Sequence, residues 1–180
     1  DFRAAPRWTG DTSFFSVEGQ QLKLSAPAQT GHAMLALENR VLFATEWSFQ
    51  IAMEFNTSSS NYARFYLVSD QSDLSGPLHG YFVQVGSTTD DVSLYRQTGT
   101  SVVRLIDGAD GRINFSAVRA HIRVWTDEDG NWTLSVDTGP TGPSGQAVVE
   151  GSAYDITFTI SRYAGLRCVY TCLLYTSDAA

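Results

Sequence analysis

The stretch VRAHIRVWTDEDGNWTLSVD, residues 118–137, decides the fold. Two runs that alternate apolar and polar residues, 118–126 and 131–137, flank the short polar segment DEDG. Three carboxylates and an Asn within five positions raise two readings, a calcium loop and a turn. An EF-type loop takes oxygen ligands at its first, third, fifth and twelfth positions and Gly at its sixth. Counted from Asp127, Gly130 comes fourth and Thr138 twelfth, so the match fails twice. Asp-Gly between alternating runs is instead a strong hairpin signal, because Gly tolerates positive φ and Asp bonds its own turn. A β-hairpin is predicted. Side chains alternate across the pleat. Val118, Ala120, Ile122 and Val124 therefore share a core face, joined by Trp132, Leu134 and Val136, while Arg119, His121, Arg123 and Trp125 take the opposite face.

Outward from this hairpin the period of two continues. FFSV (14–17), QLKLSA (21–26), AMLALEN (33–39), EWSFQIAMEF (46–55), ARFYLVS (63–69), GYFVQVG (80–86), DVSLYRQ (91–97), VVRLIDG (102–108), QAVVEG (146–151) and YDITFTIS (154–161) all read as strands. NTSSSN, SDLSGPLHG, GSTTDD, DGADG and DTGPTGPSG between them are turn chemistry. Only residues 109–117 leave room for a helical turn. Many short, regularly spaced strands without an amphipathic helix predict an all-β sandwich or a closed barrel.

Composition narrows the function classes. A chain of 180 residues, 43% hydrophobic, holds one domain with a full core. Formal charge is −7 and no Lys/Arg run occurs, which argues against a nucleic-acid partner. No apolar segment approaches the roughly 20 residues of a membrane helix, so no membrane insertion is expected. Lys23 is the only lysine, and Ser, Thr, Gly and aromatics abound. That balance suits a secreted or cell-surface module. The chain opens at Asp1 without Met, which reads as a fragment boundary.

Sorting the other strands by the same alternation gives a second set of outward side chains. In 63–69 the core set is Ala63, Phe65 and Leu67, leaving Arg64 and Tyr66 outside; in 80–86, Tyr81, Val83 and Val85 turn inward and Phe82 and Gln84 outward; in 91–97, Val92 and Leu94 are core and Ser93, Tyr95 and Gln97 outward. Arg64, Tyr66, Gln84, Tyr95, Gln97, His121, Arg123 and Trp125 together are predicted to form a ligand-binding face. Flat rings stack on pyranose faces while amides and guanidinium groups bond hydroxyls, so a glycan is the expected partner. Two plainer readings stand beside it: cross-strand aromatic pairs that only stabilise the sheet, or a face covered by a neighbouring domain.

Catalytic patterns are not found. No E-x-D-x-E array offers the paired carboxylates of a retaining glycosidase, and Asp127 and Asp129 lie in the turn. There is no G-x-S-x-G elbow, and His32, His79 and His121 stand in unrelated contexts without zinc spacing. No catalytic residue and no organic cofactor is assigned. Calcium stays open in loops that bring Asp70, Asp73, Asp90, Asp91, Asp107 or Asp110 together. Asn56, Asn114 and Asn131 match the glycosylation acceptor pattern, as chance allows in a Ser/Thr-rich chain.

Residues 58–99, with IDGADGR (106–112), the DEDGNWTLSVD hairpin, YAGLRCVYT (163–171) and the opening RWTGD (7–11), resemble a domain near the N-terminus of large secreted proteins of gliding-type bacteria. Those proteins carry lamin-tail or immunoglobulin-like modules and a type IX secretion sorting domain. The resemblance implies a two-sheet antiparallel β-sandwich similar to the concanavalin A-like and laminin-G-like jelly rolls, covalently linked to further domains. It also implies a last strand beyond Thr171, rich in Phe, Tyr and Asp, with any calcium ligand that strand supplies. Here the chain continues instead as CLLYTSDAA (172–180), which resembles a translated sequencing-library adapter. The expectation is therefore one jelly-roll domain over 1–171, truncated at both ends, followed by a non-native tail. Excluding the tail removes Cys172 as a partner for Cys168. The functional expectation is a non-catalytic extracellular module that binds glycan or cell-surface material. The alternatives are a structural or adhesion spacer, and a glycoside hydrolase or lyase whose carboxylates lie outside this fragment.

Overall fold

Alternation becomes strand almost wherever it occurs. The computed structural model describes residues 7–171. Its strands are β1 (Thr9–Gly10), β2 (Phe15–Glu18), β3 (Gln21–Leu24), β4 (Gly31–Glu38), β5 (Thr45–Met53), β6 (Tyr62–Ser69), β7 (Leu78–Val85), β8 (Val92–Gly99), β9 (Ser101–Ile106), β10 (Val118–Thr126), β11 (Asn131–Thr138), β12 (Val148–Tyr154) and β13 (Tyr163–Tyr170). A 3-10 turn at Thr12–Phe14 is the one helical element among the described residues. Residues 109–117 form turns and no helix. The tail from Cys172, and the implied strand beyond Thr171, lie outside the described residues.

Two antiparallel sheets stack as a jelly-roll sandwich. One has seven strands in the order β1-β4-β13-β6-β7-β8-β9, the other four in the order β12-β11-β10-β5; β2 and β3 form a separate hairpin. The predicted hairpin pairs from Ala120↔Thr138 to Thr126↔Trp132. Its turn uses the carboxylate of Asp127, whose Oδ1 accepts the N–H groups of Asp129 (3.0 Å) and Asn131 (2.8 Å). Gly130 sits at φ 89°, and a Cβ there would lie 2.2 Å from Ile156 Cγ2, so both turn and packing require glycine.

The core fills the space between the sheets. Tyr81, Val83, Val85, Val92 and Leu94 of the larger sheet meet Ile122, Val124, Trp132, Leu134 and Val136 of the smaller one. Rings interlock across the gap, Phe49 3.9 Å from Phe65 and Trp132 4.6 Å from Tyr81, and within the four-stranded sheet Trp132 stacks 5.8 Å from Trp47. Each fully buried apolar side chain stabilises by about 1.5–3 kcal/mol against exposure. The inward sets predicted for β7, β8, β10 and β11 are found here; on β6 a register shift after Tyr66 adds Val68 beside the predicted Leu67.

One segment departs from expectation. YDITFTIS was predicted as a strand, but β12 stops at Tyr154 and residues 155–162 are irregular. Asp155 fixes them: its N–H donates to Gly130 O (3.0 Å), its carbonyl accepts Trp132 Nε1 (3.0 Å), and its carboxylate accepts Tyr81 Oη (2.6 Å) and Thr157 N–H (2.9 Å). These bonds hold the chain across the end of the sandwich, where no strand ladder is available. The strand belongs instead to the following YAGLRCVY, which enters the middle of the large sheet between β4 and β6.

Candidate functional site

The eight predicted face residues lie on two surfaces. Arg64 and Tyr66 (β6), Gln84 (β7), and Tyr95 and Gln97 (β8) occupy the outer side of the seven-stranded sheet. His121, Arg123 and Trp125 sit on β10, on the outer side of the four-stranded sheet. The expected single face is thus two faces, back to back across the core. Both sheets turn one side to a shared interior, so outward residues of either give the same sequence pattern while pointing in opposite directions.

The seven-stranded face is built from stacked and bonded side chains. Tyr95 stacks on Phe82 (5.1 Å, 11°), Tyr66 tilts against the same ring (5.0 Å), and the Arg64 guanidinium lies over Phe82 at 4.7 Å. Arg64 Nε donates to Gln84 Oε1 (3.0 Å), and Gln84 Nε2 donates to Gly86 O (3.0 Å). Tyr66 Oη donates to Gln97 Oε1 (3.0 Å), while Gln97 Nε2 donates to Gly99 O (2.9 Å). Every amide therefore has a fixed orientation. Burial pushes the Tyr66 phenol above its ordinary value and the nearby Arg64 and Arg167 draw it part of the way back, so the hydroxyl is a neutral donor at ordinary pH.

Outward does not mean exposed on this face. Tyr66, Phe82 and Gln97 are buried: Leu74 of the β6–β7 connection and Leu78 at the start of β7 join Tyr66 and Phe82 in a second apolar cluster, and Gln97 Nε2 donates to Gly76 O (3.3 Å) of that connection. Gly165 of β13 makes room: a Cβ there would stand 2.2 Å from Leu35 O and 2.7 Å from Leu74 Cδ1. Beside that cover a half-open pocket of about 220 Å³ remains, lined by Arg64, Tyr66, Ser75, Gln97, Val102 and Arg167 among others.

Sequence reasoning missed Arg167 and Ser75. Arg167 belongs to the unassigned strand β13 and stands in register with Arg64; sorting YAGLRCVY by alternation would have found it. Ser75 lies in SDLSGPLHG, read only as a turn, although Leu74 and Leu78 within it signal an apolar contact.

The four-stranded face is simpler. Trp125 is 46% exposed, Arg123 is exposed, and His121 Nε2 shares a 2.8 Å hydrogen bond with Ser48 Oγ.

At the sandwich end, Arg96 forms an ion pair with Asp155, which also binds Tyr81. Burial pushes the Asp155 carboxyl up, but the hydrogen bonds from Tyr81 and Thr157 and the charge of Arg96 bring it below its ordinary value. Glu150 pairs likewise with Arg112.

No group of three His, Cys, Asp or Glu side chains suited to a metal ion occurs among the described residues. Five of the six candidate aspartates, all but Asp110, are engaged separately: Asp70 with His79, Asp73 with the Ser75 amide, Asp90 with Thr57, Asp91 with Ser87, Thr89 and Ser93, and Asp107 with Arg104.

The architecture has clear structural relatives. A carbohydrate-binding module, CBM66, from Bacillus subtilis aligns over 91% of this chain and 91% of its own, with a TM-score of 0.57 at 9% identity. A legume lectin-like domain from Entamoeba histolytica aligns over 91% of this chain and 81% of its own, with a TM-score of 0.61 at 10% identity. The exoplasmic/lumenal domain of VIP36, in a form bound to calcium and mannose, covers 92% of this chain and 76% of its own, with a TM-score of 0.62 at 10% identity. Identities this low show a shared fold. No family model matches the chain, and no curated protein matches it significantly.

Proposed function

We propose that this chain is a non-catalytic carbohydrate-binding module that receives a sugar in the pocket on the outer side of its seven-stranded sheet. The observation that carries the reading is the concentration there of an oriented amide, a phenol and two guanidinium groups around a space of about 220 Å³. A sugar residue offers hydroxyls for the guanidinium donors and for the oxygens of the phenol and amide, and apolar ring faces for Pro77 and Val102. The structural relatives that bear lectin and carbohydrate-binding names support it by analogy of fold. The buried carboxylates Asp155 and Glu150 are each neutralised by an arginine in a structural tie, which leaves them poorly placed as a free acid and base. On this reading the module works outside the cell, joined to further domains that supply its context.

The test is a glycan panel with the wild-type chain and with Val102→Trp. Val102 is 42% exposed on edge strand β9 and lines the pocket, so an indole there fills the space without entering the core. Wild type should bind a subset of the panel, and the variant should lose at least about tenfold in affinity at unchanged stability. Undiminished binding by the variant would place the site elsewhere. A panel without any bound glycan would favour a structural spacer.

A further inference from the structure

Arg64 and Arg167 stand directly opposite one another on adjacent strands β6 and β13. Like charges in that position repel and weaken a sheet unless something lies between them. None of the ion pairs formed by the described residues includes either arginine, whereas Arg96, Arg104, Arg112 and Arg119 all have carboxylate partners. Arg64 is held over Phe82 and by Gln84, and the buried Nε of Arg167 has no hydrogen-bond partner. Both line the same pocket, as does Ser75, whose buried Oγ is also unpartnered. In a chain of formal charge −7 this is a local concentration of positive charge with unused donors.

We propose that the pocket selects an acidic sugar, and that Arg64 and Arg167 together hold the carboxylate of a uronic acid residue. The inference rests on the carbohydrate-binding reading above and names its ligand class. A guanidinium presents a planar fork of N–H donors that matches a carboxylate, and two of them remove their mutual repulsion by sharing one anion. Ser75 Oγ and the Tyr66–Gln97 pair then face the ring hydroxyls. A volume of about 220 Å³ equals about seven waters at about 30 Å³ each, the scale of one sugar residue and not of a long oligosaccharide.

The experiment is calorimetric titration of the wild-type chain with four probes: a galacturonic acid trisaccharide, its methyl ester, a neutral galactose trisaccharide and a sulfated one. The uronate should bind at least about tenfold more tightly than its ester or the neutral sugar, the scale of a charge-assisted hydrogen-bonded pair, and should weaken with added salt. Arg167→Gln should abolish that preference, and Arg167→Lys, which keeps the charge but loses the fork, should reduce it. Equal binding of uronate, ester and neutral sugar overturns the acidic selection and leaves the carbohydrate-binding reading intact. Preference for the sulfated probe over the uronate overturns the carboxylate assignment. Failure of all four, with no hit in the wider glycan panel, overturns both readings.

Discussion

The two outer faces of the sandwich carry similar side chains in opposite states. On the seven-stranded sheet Phe82 and Tyr66 are capped by a loop that brings Leu74 down on them beside Leu78 of β7; on the four-stranded sheet Trp125 is left 46% exposed. An aromatic on an outward strand position is thus a core residue on one side and a surface residue on the other, and the connection that follows the strand decides which. Stability measurements sharpen this most directly. Phe82→Ala should cost about 3–5 kcal/mol, the range for deleting a buried aromatic, while Trp125→Ala should change stability by about 0.5 kcal/mol or less. Urea midpoints of the two variants measure the difference; similar losses would mean that the loop does not seal its face in solution.

Legibility in the sequence follows the same division. Alternation separates inward from outward correctly along β7, β8, β10 and β11, because each strand has one side against the shared core, and fails on β6 only past Tyr66, where a register shift brings Leu67 and Val68 both inward. It carries no information on which sheet a strand joins, so residues on β6–β8 and β10 read as one face. Nor does it register tertiary contacts that end a strand: YDITFTIS alternates well, yet Asp155 is tied to Tyr81, Arg96 and Trp132 across the sandwich end. Arg167 is legible by alternation on β13, on the same side as Gly165, whose missing side chain admits Leu74.

A smaller effect separates the pocket wall from its surroundings. Tyr66→Phe removes the hydroxyl that donates to Gln97 Oε1 and leaves that buried acceptor unpaired. The expected cost is about 1–3 kcal/mol, with weakened glycan binding at 25 °C where the variant is still folded. His121→Ala on the other face breaks only an exposed bond to Ser48 and should leave both quantities nearly unchanged. A reversed order would shift weight to the four-stranded face.

The cover of the first face should also respond to acid. Asp70, at the start of the covering loop, accepts the His79 N–H (2.7 Å) and contacts His79 Nδ1 (3.1 Å). Partial burial pushes its carboxyl up, but the bonds from His79 outweigh that and hold it below its ordinary value. A depressed folded pKa means the stabilisation is complete above the ordinary aspartate value of about 3.9 and is lost as pH falls through the lower folded value. Hydrogen exchange at the His79 amide, corrected for intrinsic rates, should therefore lose protection below about pH 4, and Asp70→Asn should remove most of that dependence. Protection that is flat to pH 2.5 in the wild type would show that Asp70 does not anchor the loop.

The smallest expected effect is the most discriminating for function. Trp125, with Arg123 on the same face, is the most accessible indole-bearing surface that a sugar could use without a pocket, and exposed aromatics on a sheet are reasonable stacking platforms. If the pocket of the other sheet is the site, Trp125→Ala changes glycan affinity by less than about twofold, because the indole and the pocket lie on opposite sides of the core. A loss of about tenfold or more, the scale of an aromatic hot spot, would transfer the site to the four-stranded face. The same titration with Val102→Trp then has to show no loss, so the two variants together assign the sugar to one face or the other whichever way the result falls.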